Sequence, residues 1–336
     1  MELREEIYLT EGFNSLDDLR REVEFWDATS AQWLADCPRR GQYSLENRAV
    51  PLDESHAMRA GTALHAGLAV LYSGGGDELA LQTVLDTWGQ APEWRLPPGN
   101  KYSHLHSGHL EVIFKNYLEW KTKHDSFRPL VVTREELDLT DVLAAIWLVT
   151  PDGKVVLGES KLVMRFGIET LDGPVNFIYS GRPDLPIEMG GVTYILDHKS
   201  TNSYLSSYYF DQYRFSNQLR GYGAMISKLL KRSISGALIN GIYMGERASL
   251  SEFKGEKFAR FGPMSFMPAH LNEAIKNQYY WRKSLDFWKS QGYFPQHTGK
   301  LCSGCSFADL CNASPSSRAH VLATQYGVSK KEFLTL

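Results

Sequence analysis

The 336-residue chain has a net charge of −3, with 43% hydrophobic and 22% charged residues, the proportions of an ordinary globular protein and not of a disordered one. A slightly acidic balance excludes a broadly basic surface, so any contact with nucleic acid must come from a local groove. No apolar stretch approaches the ~20 residues of a membrane span, and the start, Met-Glu-Leu-Arg-Glu-Glu, has no secretory apolar core; the default expectation is a cytoplasmic location without membrane contact.

Residues 1–28 are charged and weakly patterned, which predicts a helical or loose lead-in. Thr29 and Ser30 then open a short capped helix over 31–36, stopped by Cys37-Pro38-Arg39-Arg40. The Ala- and Leu-rich run 59–72 predicts a helix with Gly61 and His65 on one face, broken by Gly74-Gly75-Gly76. Helices follow over 77–89 and 103–123. After Pro129 the pattern changes, and 131–137, 144–149, 155–165, 175–182 and 192–199 have strand character. Pro151-Asp152-Gly153 and Gly190-Gly191 supply hairpin turns. A long helix over 211–231, strands over 234–243 and 257–267, and a helix over 269–290 complete the series. The layout predicts an α/β fold in one integrated domain: a helical N-terminal region (1–126), a mostly antiparallel core (127–268) and a C-terminal helix with a cysteine segment (269–336).

The densest chemistry lies in Gly181-Arg182-Pro183-Asp184, followed by the apolar run 192–196 and then Asp197-His198-Lys199. On a strand, residues two apart face one side, so Asp197 and Lys199 project together, and one hairpin brings Asp184 to the same edge. Two carboxylates hold a hard divalent cation, and an ammonium beside them orients a water, which are the parts of metal-assisted phosphodiester hydrolysis. Taken singly, Asp184 also reads as a turn residue, and Asp197 with Lys199 as a solvated strand-end pair. The four cysteines are Cys37 and the cluster Cys302-x2-Cys305-x5-Cys311. In a cytosolic chain that spacing reads as a metal or cluster site before it reads as disulfides. The alternative is a plain buried Cys37 and a weak zinc knuckle.

These residues stand in an order that resembles the PD-(D/E)XK nuclease superfamily, specifically its RecB-type group, which includes iron–sulphur exonucleases associated with CRISPR systems and the nuclease domains of helicase–nucleases. Cys37-Pro38-Arg39 looks like the group's N-terminal cysteine motif, Gly61-Thr62-Ala63-Leu64-His65 its Gly-x-x-x-His motif, and Gly181–Asp184 with Leu196–Thr201 its two core motifs. Gln218-Leu219-Arg220-Gly221-Tyr222 resembles Gln-x-x-x-Tyr, and Phe294-Pro295 with the three late cysteines the C-terminal block. The resemblance runs from about residue 29 to 312 and implies a restriction-endonuclease-like core, a mixed central sheet flanked by helices. It further implies that His65, Asp184, Asp197 and the carbonyl of His198 ligate Mg2+ or Mn2+, the imidazole suiting Mn2+ better. Lys199 would orient and help activate water, with Gln218 and Tyr222 facing the site from one helix face. The four cysteines would hold one [4Fe-4S] cluster, with zinc as the chemically acceptable alternative. Glu135 or Glu136 is a candidate for an early-strand acid, with no choice between them.

His104-Leu105-His106-Ser107-Gly108-His109 reads as a polar helical face. Tyr204, Tyr208, Tyr209, Tyr213 and Arg214 read equally as a stacking surface for single-stranded bases or as core and rim aromatics. Lys254, Lys257 and Arg260 are candidate phosphate contacts, or else a solvated loop. The expected function is a metal-dependent DNA nuclease, an exonuclease on single-stranded or end-exposed DNA. A non-catalytic nucleic-acid-binding or assembly subunit is the alternative, a sequence-specific endonuclease is the third reading, and oligomeric state is left open.

Overall fold

The computed structural model describes residues 3–52, 55–89 and 102–328; the first two residues of the expected lead-in and the end of the C-terminal segment lie outside them. The lead-in contains a strand, β1 (Arg4–Leu9), and a short helix, α1 (Leu16–Glu22). Leu9, Phe13 and Leu16 pack with Leu19 on Leu143, Ile146 and Val163, so apolar contact with a distant strand overrides the charged local pattern. The first expected helix is α2 (Ala28–Asp36), capped by Asp27, whose side chain accepts from the Ser30 N–H at 2.7 Å. Pro38 then starts a separate turn, α3 (Pro38–Gly41), and β2 (Ala49–Pro51) follows.

Helices α4 (His56–Tyr72), α5 (Asp77–Gly89) and α6 (Ser107–His124) match the expected N-terminal helices. His106 caps α6 by accepting from the His109 N–H. A short strand, β3 (Arg128–Pro129), comes first, and the region expected as a strand over 131–137 is only β4 (Val131–Val132) followed by a tight turn over Arg134–Glu136. Thr133 and Glu136 cap that turn reciprocally, which ends the extended conformation. Strands β5 (Val142–Val149), β6 (Val155–Thr170), β7 (Gly173–Gly181), β8 (Leu185–Met189) and β9 (Val192–Thr201) follow in succession. The helix expected over 211–231 begins later, as α8 (Asn217–Leu230), because Ser216 caps its start; a separate short helix, α7 (Ser207–Asp211), capped by Ser206, precedes it. The chain continues through β10 (Gly236–Tyr243), β11 (Phe258–Ser265), α9 (Pro268–Ser290), α10 (Ala308–Asn312), α11 (Arg318–Gln325) and β12 (Tyr326–Val328).

The fold is mixed α/β, with two five-stranded sheets. One runs β1-β5-β6-β4 with β7 paired to β6; the other runs β11-β10-β9-β8-β3. Among the described pairings β9–β10 is parallel and the others antiparallel, which makes the second sheet mixed. A two-stranded ribbon joins β12 to β2. One apolar core unites the N-terminal helices with both sheets, through Leu64, Leu68, Phe114, Trp147, Leu157, Ile195 and Met225. Among the described residues no helix is long and apolar enough to cross a membrane.

Candidate active site

Pairing sets the carboxylates. β8 and β9 form a hairpin with Leu185 opposite Leu196, so Asp184, just before β8, lies next to Asp197. The turn is made by Gly190 and Gly191, both at positive φ. The His198 N–H donates to Asp184 Oδ2 at 2.7 Å, fixing that carboxylate against the strand. The pleat sends Asp197 and Lys199 to one face of β9 and His198 to the other. His65 arrives from α4, with Nδ1 3.6 Å from Asp184 Oδ2. The helix packs close on β9 here, one turn before His65: a Cβ at Gly61 would lie 2.9 Å from Ser200 Oγ, so there is no room for a branched side chain.

The structure adds a residue that the motifs do not contain. His65, Glu159 and Asp184 each offer a ligand atom, and these lie within 4.8 Å of one another. Glu159 reaches the site through a bulge: Ile146 opposes Lys161 and Leu148 opposes Val156, so β6 carries extra residues between them. Its backbone is left-handed, at φ 57°, a conformation rare outside glycine. Its N–H donates to the carbonyls of Pro183 and Asp184, and Arg182 Nε lies 3.0 Å from its carboxylate. A Gly158-Glu159 pair interrupting an apolar strand is the signal that marks such a bulge. Glu135 and Glu136, the acids weighed from sequence, are exposed and belong to the capped turn.

Burial dominates the electrostatics. It pushes Glu159 up to about 8, with Asp184 adding to the effect, and Asp197 up to about 6 despite Lys199. It also raises Asp184. Burial, then Lys199, lowers His65 to about 4, leaving the neutral imidazole that a metal ligand must be. Burial works against the Lys199 charge, but Asp197 and Asp184 outweigh it and hold the ammonium above its ordinary value. Lys199 therefore stays protonated and serves as a donor, not as a base. Its Nζ is 2.6 Å from Asp197 Oδ2, while Asp197 Oδ1 is buried with no hydrogen-bond partner among the described residues. Clustered acids with an unused buried oxygen fit a hard divalent cation.

Helix α8 closes the other side. Lys199 Nζ donates to Gln218 Oε1 at 3.5 Å, and Gln218 Nε2 donates to the Tyr222 hydroxyl at 3.1 Å. Spacing of i, i+4 puts both on one face, as expected. Burial and the nearby Asp184 keep the Tyr222 hydroxyl protonated well above its usual range. Behind β9, the His198 ring lies parallel to Tyr72, at 5.5 Å between centroids, and its Nδ1 is 2.9 Å from Asn240 Nδ2. Asn240 also donates to Tyr117, whose hydroxyl meets Tyr72 at 2.6 Å; Tyr72 in turn donates to Asp125, which pairs with Arg260. Arg260 is thus half-buried inside this network, over the faces of Trp120 and Phe127, and not free to contact phosphate.

His109 is buried with both ring nitrogens engaged, to Ser249 Oγ and the Met244 carbonyl, each at 3.1 Å. The sequence reads 104–109 as a polar helical face, whereas α6 starts only at Ser107 and His109 turns inward. Tyr204, half exposed, stacks on Tyr243 and Phe253, and the hydroxyls of Tyr209 and Tyr213 meet at 3.1 Å. Lys257 donates to the Leu250 carbonyl. Cys37, Cys302, Cys305 and Cys311 are all free thiols. The Cys37 segment is tied to the C-terminal block: the Arg39 N–H and Nε donate to the carbonyls of Pro295 and Phe294, and the His297 N–H lies 3.4 Å from Cys37 Sγ. Cys302 Sγ lies 3.4 Å from the His297 carbonyl, and Cys305 and Cys311 pack against Tyr43, Phe307 and Tyr326.

A family model, described as the PD-(D/E)XK nuclease superfamily, matches residues 26–312. No curated protein matches the chain.

Proposed function

This chain belongs to the PD-(D/E)XK nuclease superfamily, and on that footing we propose that it is a metal-dependent deoxyribonuclease of the RecB type, an exonuclease acting on single-stranded or end-exposed DNA. The observation that carries the reading is the meeting of His65, Glu159 and Asp184, with ligand atoms within 4.8 Å of one another, beside the Asp197–Lys199 pair on β9. His65, Glu159, Asp184, Asp197 and the His198 carbonyl would hold Mg2+ or Mn2+, which when bound lowers the pKa of water and neutralises charge on the scissile phosphate. Lys199, kept charged by Asp197, donates to the attacking water or to a phosphate oxygen. Gln218 fixes the Lys199 amine and is itself fixed by Tyr222. The Asp184 carboxylate is locked by the His198 N–H, so the ligand set needs little rearrangement on binding. Hydrolysis proceeds by direct water attack, without a covalent intermediate.

The four thiols are the ligands of a [4Fe-4S] cluster in this reading. One feature supports a shared site. The Cys37 segment and the late cysteines are already joined through His297. Free thiols at all four positions suit a reducing, cytoplasmic compartment. The first 126 residues, the core to residue 268 and the closing segment then form one working unit.

The test is cleavage of labelled linear and circular DNA with Mg2+ and Mn2+, beside Asp184→Ala and Lys199→Ala. Loss of cleavage in both variants supports the assignment; unchanged cleavage in both rejects it. Degradation confined to linear DNA supports the exonuclease reading. DNA binding without cleavage, insensitive to chelator, points to the non-catalytic alternative. Anaerobic purification with iron and zinc analysis decides the cysteine site.

A further inference from the structure

Beside the catalytic pocket, on the far side of the first turn of α8, lies an open groove of about 600 Å3 bounded by the α7–α8 connection, β11 and the start of α9. Arg214, Phe215, Arg220, Phe261 and His270 line it together with Arg260, which Asp125 already holds, and no carboxylate does. Phe215 is 77% exposed, so its ring is accessible from the groove. Arg220 lies over one face of its ring, at 5.7 Å from the centroid, which leaves the other face open. Arg214 lies over Phe261 at 5.3 Å. Arg214 is partly neutralised by Asp211, whereas Arg220 makes no ion pair among the described residues and its buried Nε has no hydrogen-bond partner.

Register connects the groove to the chemistry. Asp197 opposes Ile239 across β9–β10, and Ile239 opposes Phe261 across β10–β11. Phe261 therefore lies in the catalytic row of the sheet, two strand spacings or about 10 Å from Asp197. Gln218 faces Lys199, and Arg220, two residues on, lies about 200° round the same helix. A strand leaving the active site across the α8 N-terminal turn thus meets the Phe215 ring and then the arginines.

We propose that this groove binds the single-stranded segment of the DNA substrate flanking the scissile phosphate, with Phe215 stacking on a base and Arg220 and Arg214 holding phosphates. The proposal rests on the nuclease reading and adds to it the strand's path and its single-stranded state. Aromatic faces take any base, and guanidinium groups take the backbone, so the track is sequence-tolerant. A duplex, whose bases are stacked inside, cannot offer a base to Phe215.

The experiment is fluorescence anisotropy of a labelled oligothymidylate and of a matched hairpin duplex with the full-length protein in EDTA, where binding is read without cleavage. Thermal melts confirm that Phe215→Ala, Arg220→Ala and Arg220→Lys are folded. The expected result is a loss of about tenfold or more in single-strand affinity for Phe215→Ala. For Arg220→Ala, the slope of log affinity against log salt falls by about 0.7, and Arg220→Lys retains the slope. Duplex binding by either Ala variant stays at the wild-type level. Variants that bind the oligonucleotide as wild type does, or a wild-type protein that does not bind it, overturn the groove. Equal losses for duplex and single strand overturn the single-strand assignment. Cleavage by the wild type, measured separately with Mn2+, tells failure of the groove from failure of the nuclease reading.

Discussion

Replacing Gly61 distinguishes a positioning role for α4 from a merely structural one. A Cβ at residue 61 would lie 2.9 Å from Ser200 Oγ, the free end of a small side chain that can turn aside. Gly61→Ala therefore costs little in packing and gains about 0.8–1 kcal/mol of helix propensity, so its melting temperature holds or rises. Gly61→Val adds two more carbons where β9 stands and costs about 1–3 kcal/mol of overpacking. Relief comes by moving α4 away from β9, and His65, one turn on, moves with it away from Asp184, now 3.6 Å distant. A displacement near 1 Å lowers the rate about 100-fold. The assay pairs thermal melts with Mn2+-dependent cleavage of labelled DNA. Gly61→Ala should keep its activity, Gly61→Val should lose far more activity than stability, and Ser200→Ala should restore part of the loss. A folded Gly61→Val that cleaves as well as the wild type would refute the claim that this contact sets the ligand geometry.

Other outcomes follow from the same site. Because the buried acids repel one another, saturating Mn2+ should stabilise the protein by about 2.7 kcal/mol at a hundredfold excess over Kd; a Tm that Mn2+ shifts equally in Asp184→Asn would count against the site. Glu159→Gln should weaken Mn2+ binding by about tenfold or more, read by calorimetry, and an unchanged affinity would remove Glu159 from the ligand set. The Glu159 carboxyl is raised from 4.5 to about 8 on folding. Folding then takes up a proton between those values, so this group's contribution to metal-free stability is full below pH about 4.5 and is lost as pH rises towards 8. Glu159→Gln should flatten that decline in chelator, as denaturant titrations across the window would show. Lys199→Met should abolish cleavage while Mn2+ affinity stays within a few-fold, since Lys199 is a donor and not a ligand; a collapse of metal binding would contradict this.

Much of this site is legible in the chain because its parts are local. Asp197 and Lys199 sit two apart on a strand, Gln218 and Tyr222 four apart on a helix, and the Gly190-Gly191 turn brings Asp184 back to the same edge. Glu159 was hidden because a bulge inside β6 breaks the period-two rule for a few residues, and only the facing strand reveals the extra length. The boundary between α7 and α8 is hidden for a related reason: Ser216 caps a new start inside the run 211–231, which reads as one helix, and α7 lies almost wholly before it. β1 was unreadable locally, since Ile7 and Leu9 acquire their strand role from β5, more than a hundred residues away. Arg260 looked like a surface cation until Asp125, Trp120 and Phe127 enclosed it.

The ties from Arg39 to Phe294 and Pro295 have a consequence in time. Those partners are separated by 255 positions, so at about 5–20 residues per second a ribosome needs roughly 13–50 s after making the first to make the second. During that interval the Arg39 segment lacks its C-terminal tie, although α2 already packs in the core, and Cys37 waits alone for its companions. Nascent chains stalled before residue 294 should stay open to protease around Cys37, and those released beyond the last cysteine should close.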